Sequence, residues 1–206
     1  MSVTLMLVRV AGGQIVTETW SELAREAMAQ AGIVKTDEWP KQYSSGIVQF
    51  VRDADAEKRF LTDAELDAIA AQTSPRSGTI VRCLRDLATD IVTEARTNVL
   101  GQFPGITEPG GELYPEVRAE SCWRDFWHFL RSTSYGIASE NLEFVSAEGT
   151  RHMEILYREL NVPLAAMVKG VEALKVASME RLDGDRAGAV APYFDRLIER
   201  LREFHA

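Results

Sequence analysis

Histidine and cysteine are both scarce in this chain: His128, His152 and His205, and Cys83 and Cys122, are all that 206 residues contain. No HExxH spacing and no Cys-x-x-Cys pair occurs, so a zinc site lacks its usual ligands. A GxGxxG turn and a Walker lysine loop are also missing, and Gly110-Gly111 alone reads as a turn. The carboxylates are many but scattered, as on solvated helix faces, and no residue is assigned a catalytic role. No Lys/Arg cluster breaks the acidic balance of 23 basic against 31 acidic residues (net charge -8), which argues against a nucleic-acid partner. The longest uncharged apolar run falls far short of the ~20 residues of a membrane helix, which argues against membrane insertion. The opening MSVTLMLVRVAGG lacks a basic n-region, so it does not read as a signal peptide. Two free thiols fit a reducing compartment, and a cytoplasmic protein is expected.

What is present is ordinary globular composition, 46% hydrophobic and 26% charged, enough to bury a core without disulfides. The first 45 residues differ from the rest. Residues 3–10 are β-branched and apolar, Gly12-Gly13 is a turn signal, and 14–19 is again β-prone, which predicts a small hairpin. Ser21 reads as the N-cap of a short helix over 22–30 stopped by Gly32, and 36–46, with Pro40 and Gly46, reads as a linker. From Ile47 onward helical patterning dominates. Helices are expected from Ile47, from Thr62 with a capping-box pattern, over 78–98, over 116–139, over 148–160, from Pro163 at N1 to about 181, and over 189–204. Residues 101–115, with four glycines and three prolines, read as a loop. The fold class predicted is all-α, with an extension over 1–45 and one domain over 46–206.

The chemically informative segment is 118–125. Arg118, Cys122, Asp125 and Phe129 are spaced +4, +3 and +4, which places a cation, a sulfur, a carboxylate and a ring on one helical stripe. Such a stripe suits a long, flat, anionic molecule: the thiol can form a thioether, the arginine can pair with a propionate, and the carboxylate can accept from ring N–H groups. Arg124 lies roughly 160° from Cys122 on an ideal helix, so its guanidinium has to wrap around to join the group. The bland alternative is a cysteine acting as a small buried hydrophobe. Cys-x-Arg-Asp also occurs at Cys83-Leu84-Arg85-Asp86, so the short pattern alone does not discriminate.

The surroundings do. Over about 47–181, Asp53-Ala54-Asp55-Ala56-Glu57-Lys58-Arg59-Phe60-Leu61, Pro109-Gly110-Gly111-Glu112-Leu113-Tyr114, and then Arg118, Cys122, Arg124, Asp125, Leu130, Arg131 and Tyr135 follow in order. Leu160-Asn161-Val162-Pro163-Leu164 and Gly170-Val171-Glu172-Ala173-Leu174-Lys175 complete the series. With these motifs the chain resembles the phycobiliproteins, most closely the allophycocyanin type. The resemblance implies a globin-like helical domain with an N-terminal helical pair. It also implies a linear tetrapyrrole bilin, phycocyanobilin-like and thioether-linked at Cys122, with Arg118, Arg124, Asp125, His128 and Tyr135 around it. The implied partners are a phycobiliprotein-like subunit, in a homo- or hetero-oligomer, and other phycobilisome components, with a place on the cytoplasmic face of the thylakoid. Cys83 is read as a structural or idle thiol.

The departures from the family pattern are as specific. Glu112 stands where β-type subunits carry a methylated asparagine, so that modification is not expected. His128 stands where a tyrosine is usual, and its readings are a polar helix residue or altered hydrogen bonding near the bilin. Trp123, Phe126 and Trp127 are bulkier than usual and read as core packing or as tuning residues. The closing helix is read as an addition to ordinary antenna subunits. Three functions follow in order: a light-harvesting subunit; an assembly, linker or regulatory subunit of the same fold, with or without pigment; and a bilin attachment or degradation factor using Cys122 as a transient thiol.

Overall fold

The computed structural model describes residues 8–11, 14–17, 21–40 and 42–205. Nine α-helices and one two-stranded sheet are found among the described residues. Strand β1 (Val8–Ala11) pairs antiparallel with β2 (Gln14–Thr17), Val8 opposite Thr17, as the hairpin pattern predicted. The rest of that expected hairpin, 3–7, the turn Gly12-Gly13 and 18–19, lies outside the described residues.

Helix α1 (Glu22–Gln30) is capped by Ser21, whose side chain accepts from the Ala24 N–H. Segment 36–46 is not a free linker. Thr36–Glu38 form a 3₁₀ turn, Trp39 is buried in the same core as the rest of the protein, and Tyr43 packs against it. Apolar burial outweighed the turn residues on which the linker reading rested. Helix α2 (Ser45–Ala56) starts at Ser44, and α3 (Asp63–Ala70) carries the expected reciprocal capping box of Thr62 and Glu65.

One long helix expected over 78–98 is two: α4 (Pro75–Asp86) and α5 (Ala88–Gln102), broken at Leu87. Neither Gly nor Pro marks the break. Helix α4 packs on α3, and α5 runs against another helix, so tertiary packing sets the bend.

Helix α6 (Glu116–Ser139) is the spine, contacting α4, α5, α8 and α9. Its 24 residues span roughly 36 Å. Every residue from Phe129 to Ser139 is buried, and the helix ends at Glu140 in the left-handed conformation. After it come α7 (Ala147–Glu159), α8 (Leu164–Glu180) and α9 (Gly184–Arg202). Pro163 is the cap of α8, one place before the N1 position expected for it. Helix α9 starts five residues earlier than expected, at an Asp183 side-chain cap, and keeps Pro192 inside its length. It buries Val190, Phe194, Leu197, Ile198 and Leu201 against the body, so it is an integral part of the core.

Candidate functional site

The stripe expected on 116–139 lies on one flank of α6, between its core face and its outer face. Cys122 and Phe129 are buried, at 5% and 1% exposure, while Arg118 and Asp125 are half-buried. Trp123 and Phe126 point into the core, their rings edge to face at 5.4 Å, with the Arg96 guanidinium 5.2 Å from the centre of the Trp123 ring. Trp127, by contrast, sits on the outer face and is 37% exposed.

Helix α7 closes over this flank, and it does so through side chains. Tyr157 is buried and its hydroxyl donates to Asp125 Oδ2 at 2.9 Å. The same carboxyl is pushed up to about 6 by burial, an effect partly offset by the tyrosine hydrogen bond and the nearby Arg124 charge. The Cys122 thiol is pushed up to about 12, first by burial and then by the Asp125 charge, with Arg118 pulling the other way. At pH 7 the thiol is then held in its neutral form. A sulfur in that state is a protected neutral group, not a pre-activated nucleophile. The charges of Asp125 and Arg118 both act on Cys122, so the structure does bring together a thiol, an acid and a guanidinium. It adds a fourth member, Tyr157, that spacing along α6 could not reveal. A buried tyrosine needs a partner for its hydroxyl, but that Tyr157 is buried is decided by packing and left no signal in the sequence.

The arginines are used differently. Arg118 gives its Nη2 to the carbonyls of Leu160 (3.0 Å) and Asn161 (2.9 Å) and its Nε to that of Glu112 (3.2 Å). Its guanidinium thus ties the loop before α6 to the end of α7. Arg124 is exposed and donates to Ser121 Oγ, one turn back on its own helix, at 2.9 Å.

His128 and Tyr135 fall in a second network, away from Cys122. Arg131 Nη1 donates to His128 Nδ1 at 2.9 Å, which makes the imidazole an acceptor. Burial and the surrounding cations, Arg131 first, lower the His128 pKa to about 4, so it stays neutral. Arg131 also pairs with Asp55 of α2 at 2.8 Å and lies over the Tyr135 ring at 5.9 Å. Tyr135 is fully buried and donates its hydroxyl to the Arg59 carbonyl. This network joins α6 to the α2–α3 connection, about two turns or more along the helix from the thiol. Cys83 is half-buried in α4, with its Sγ 3.7 Å from the Arg181 carbonyl. Among the described residues no cluster of three or more His, Cys, Asp or Glu side chains could hold a metal, and no helix is long and apolar enough to cross a membrane.

Comparison with known proteins adds a family match and three relatives. A family described as Phycobilisome protein matches residues 49–201. The allophycocyanin alpha chain 2 of Microchaete diplosiphon is 33% identical over 158 residues, which are 76% of this chain and 98% of that protein. The allophycocyanin subunit alpha-B of a Nostoc species is 34% identical over 157 residues (75% and 98%), and the allophycocyanin alpha chain of Cyanophora paradoxa 32% over 158 (76% and 98%). The match runs into α9 as far as Leu201, which corrects the reading of the closing helix as an addition. It begins only after α1 and the 3₁₀ turn.

Proposed function

This chain belongs to the phycobilisome protein family, and from that premise we propose that it is a light-harvesting subunit whose bilin is anchored at Cys122. The observation that carries the assignment is the convergence of Cys122, Asp125 and Tyr157 on one flank of α6. The donor set fits an open-chain tetrapyrrole. Cys122 offers the sulfur for a thioether. Asp125 accepts one hydrogen bond, from Tyr157, and so keeps acceptor capacity for pyrrole N–H groups. Arg124, exposed and tied only to Ser121, is the guanidinium at hand for a propionate. Arg118 is spent on three backbone carbonyls and serves as the brace that positions the flank.

When bound, the bilin supplies a conjugated system that absorbs visible light. The chain's part is mechanical and electrostatic. Cys122 fixes one point of the pigment covalently, and Asp125 holds a second by a charge-assisted hydrogen bond. Tyr157 steadies that carboxylate, and Trp123 and Phe126 stiffen the helix behind it by packing into the core. A molecule held at several points has few torsions left through which to lose excitation as heat. No bond is made or broken after attachment, so the role is not enzymatic. The partner in this reading is a phycobiliprotein-like subunit, within a phycobilisome on the cytoplasmic face of the thylakoid.

The test is coexpression with a bilin source. A zinc-fluorescent band that survives denaturing electrophoresis is expected from the intact chain and from Cys83→Ala, and none from Cys122→Ala. A band that persists in Cys122→Ala rejects the anchor. A second reading, an assembly subunit of the same fold without pigment, is favoured by the 5% exposure of Cys122 and its protonated thiol. It expects no band from the intact chain.

A further inference from the structure

Helix α7 forms the outer wall of the Cys122 flank, and the helix it packs on most closely is α1, which precedes the family match at residue 49. The two are joined along their length. Near the start of α7, Gly32 N donates to the Gly149 carbonyl at 3.2 Å and Ser146 N to the Ile33 carbonyl at 2.7 Å. The backbones are so close that a Cβ on Gly149 would come within 2.2 Å of the Gly32 oxygen. Glu38 completes that end: its carboxylate accepts from Ser146 Oγ at 2.5 Å and from Ala147 N at 3.0 Å, placing a negative charge on the helix N-terminus. Lys35 pairs with Glu148 at 3.3 Å. At the far end Ser21 Oγ donates to Glu159 at 2.7 Å, two residues beyond Tyr157. Between the ends, α1 buries Ala24 and Ala27, its small residues, where it lies on α7.

We propose that residues 21–40 are an intramolecular strap that positions α7, and through it Tyr157, over Cys122 and Asp125. The inference rests on the reading of this flank as the pigment site, but its mechanical part stands on the contacts alone. Fastened at both ends, α7 moves as a rigid rod of roughly 20 Å, and its far end carries both the Tyr157 hydroxyl and the Leu160 and Asn161 carbonyls that Arg118 grips. Helix α9 and the residues after it also touch α7. Arg200 donates to Thr150 Oγ1 (2.8 Å) and to the Ala147 carbonyl (3.0 Å), His205 N donates to Glu154 (2.9 Å), and the Phe204 ring meets that of Tyr157 at 6.0 Å. Loosening the strap therefore leaves α7 hinged on α9 and opens the wall at Cys122, while α8 and α9 stay packed on each other and on α6. Burial of Cys122 is thus in part a property lent by a segment that the family match does not include.

The test uses the full chain without bilin, in a Cys83→Ser background, and reads the alkylation rate of Cys122 by iodoacetamide. Ala27→Glu puts a carboxylate into the α1–α7 seam, and Leu23→Glu, on the 44% exposed outer face of α1, is its control. Ala27→Glu is expected to raise the rate about tenfold or more, equivalent to about 1.4 kcal/mol of local opening. Leu23→Glu should leave it unchanged. Hydrogen exchange should lose protection in α7 and keep it in α8 and α9, an outcome that a general loss of stability would not give. Should Ala27→Glu not fold, Ser21→Ala combined with Glu38→Ala loosens both ends from the surface, with the same expectation. An unchanged alkylation rate, or protection lost equally in every helix, overturns the strap. Because no pigment is present, that failure is distinct from a missing covalent bilin band, which would reject the functional reading instead.

Discussion

Asp125 and Cys122 meet the same environment and answer it in the same direction: burial pushes both toward the neutral form, the carboxyl to about 6 and the thiol to about 12. The single hydrogen bond from Tyr157 works against that for Asp125, since it stabilises the charged carboxylate. Replacing Tyr157 by Phe should therefore raise the Asp125 midpoint further above 6, measured by NMR titration of the labelled carboxyl. A midpoint that falls, or stays, would remove the tyrosine from the site. The sign for stability follows from linkage. With its folded value above the ordinary 3.8, Asp125 contributes stability that is present below about pH 4 and lost as pH rises through 6. Asp125→Asn should flatten that part of a urea-unfolding profile between pH 4 and 7. His128 is the opposite case. A neutral acceptor for Arg131 with its pKa near 4, it carries no charge at physiological pH.

Between elements, one tight contact in the core is α6 on α8. Gly170 of α8 lies under the Phe126 ring, and a Cβ there would sit 2.1 Å from Phe126 Cζ. Gly170→Ala should cost about 1–3 kcal/mol by overpacking, despite the better helix propensity of alanine. Denaturant unfolding of Gly170→Ala, and of Gly170→Ala with Phe126→Leu, checks it, the second change being expected to recover part of the loss. The ring that forces this glycine also backs the helix turn carrying Cys122 and Asp125, so under the proposed pigment role the variant should shift the absorption band as well. The α4–α5 break is a lesson at the same scale. Ile80, Leu84 and Ile91 are all buried as their spacing foretold. The turn at Leu87 that separates them answers to neighbours from distant parts of the chain.

For the whole molecule, the α2–α3 pair is fastened to the body through Asp55 and Arg131. The Arg131 side chain is 8% exposed and that of Asp55 34%, so the two partners are not equivalent. Asp55→Asn strands a buried cation and should lower unfolding stability by about 1–3 kcal/mol, a value reduced for the partial exposure of Asp55. Arg131→Met leaves an aspartate that water can reach and should cost less. The reverse order in urea denaturation would show that the pair does not hold the α2–α3 unit. At this scale, too, most of the fold was legible in the sequence. Helix α6 runs from Glu116 to Ser139 as its pattern predicted, because loop prolines and apolar period are local signals. The linker reading of 36–46 failed because Trp39, with Tyr43 against its ring, found a distant surface to bury against, which no local signal encodes.

The same division runs through the candidate site. Its α6 members, Cys122, Asp125 and Arg118, could be named from residue spacing, because 3.6 residues per turn fixes which side chains of one helix share a flank. Tyr157 could not, nor could the commitment of Arg118 to the carbonyls of α7, nor the separation of His128 and Tyr135 into another network. Those depend on where a second helix lies, and helices are placed by packing among residues far apart in the chain. The sequence by itself determined the helices, the family and the sulfur. The tertiary structure decided which groups meet it and buried it to 5% exposure, because burial depends on how helices far apart in the chain pack together.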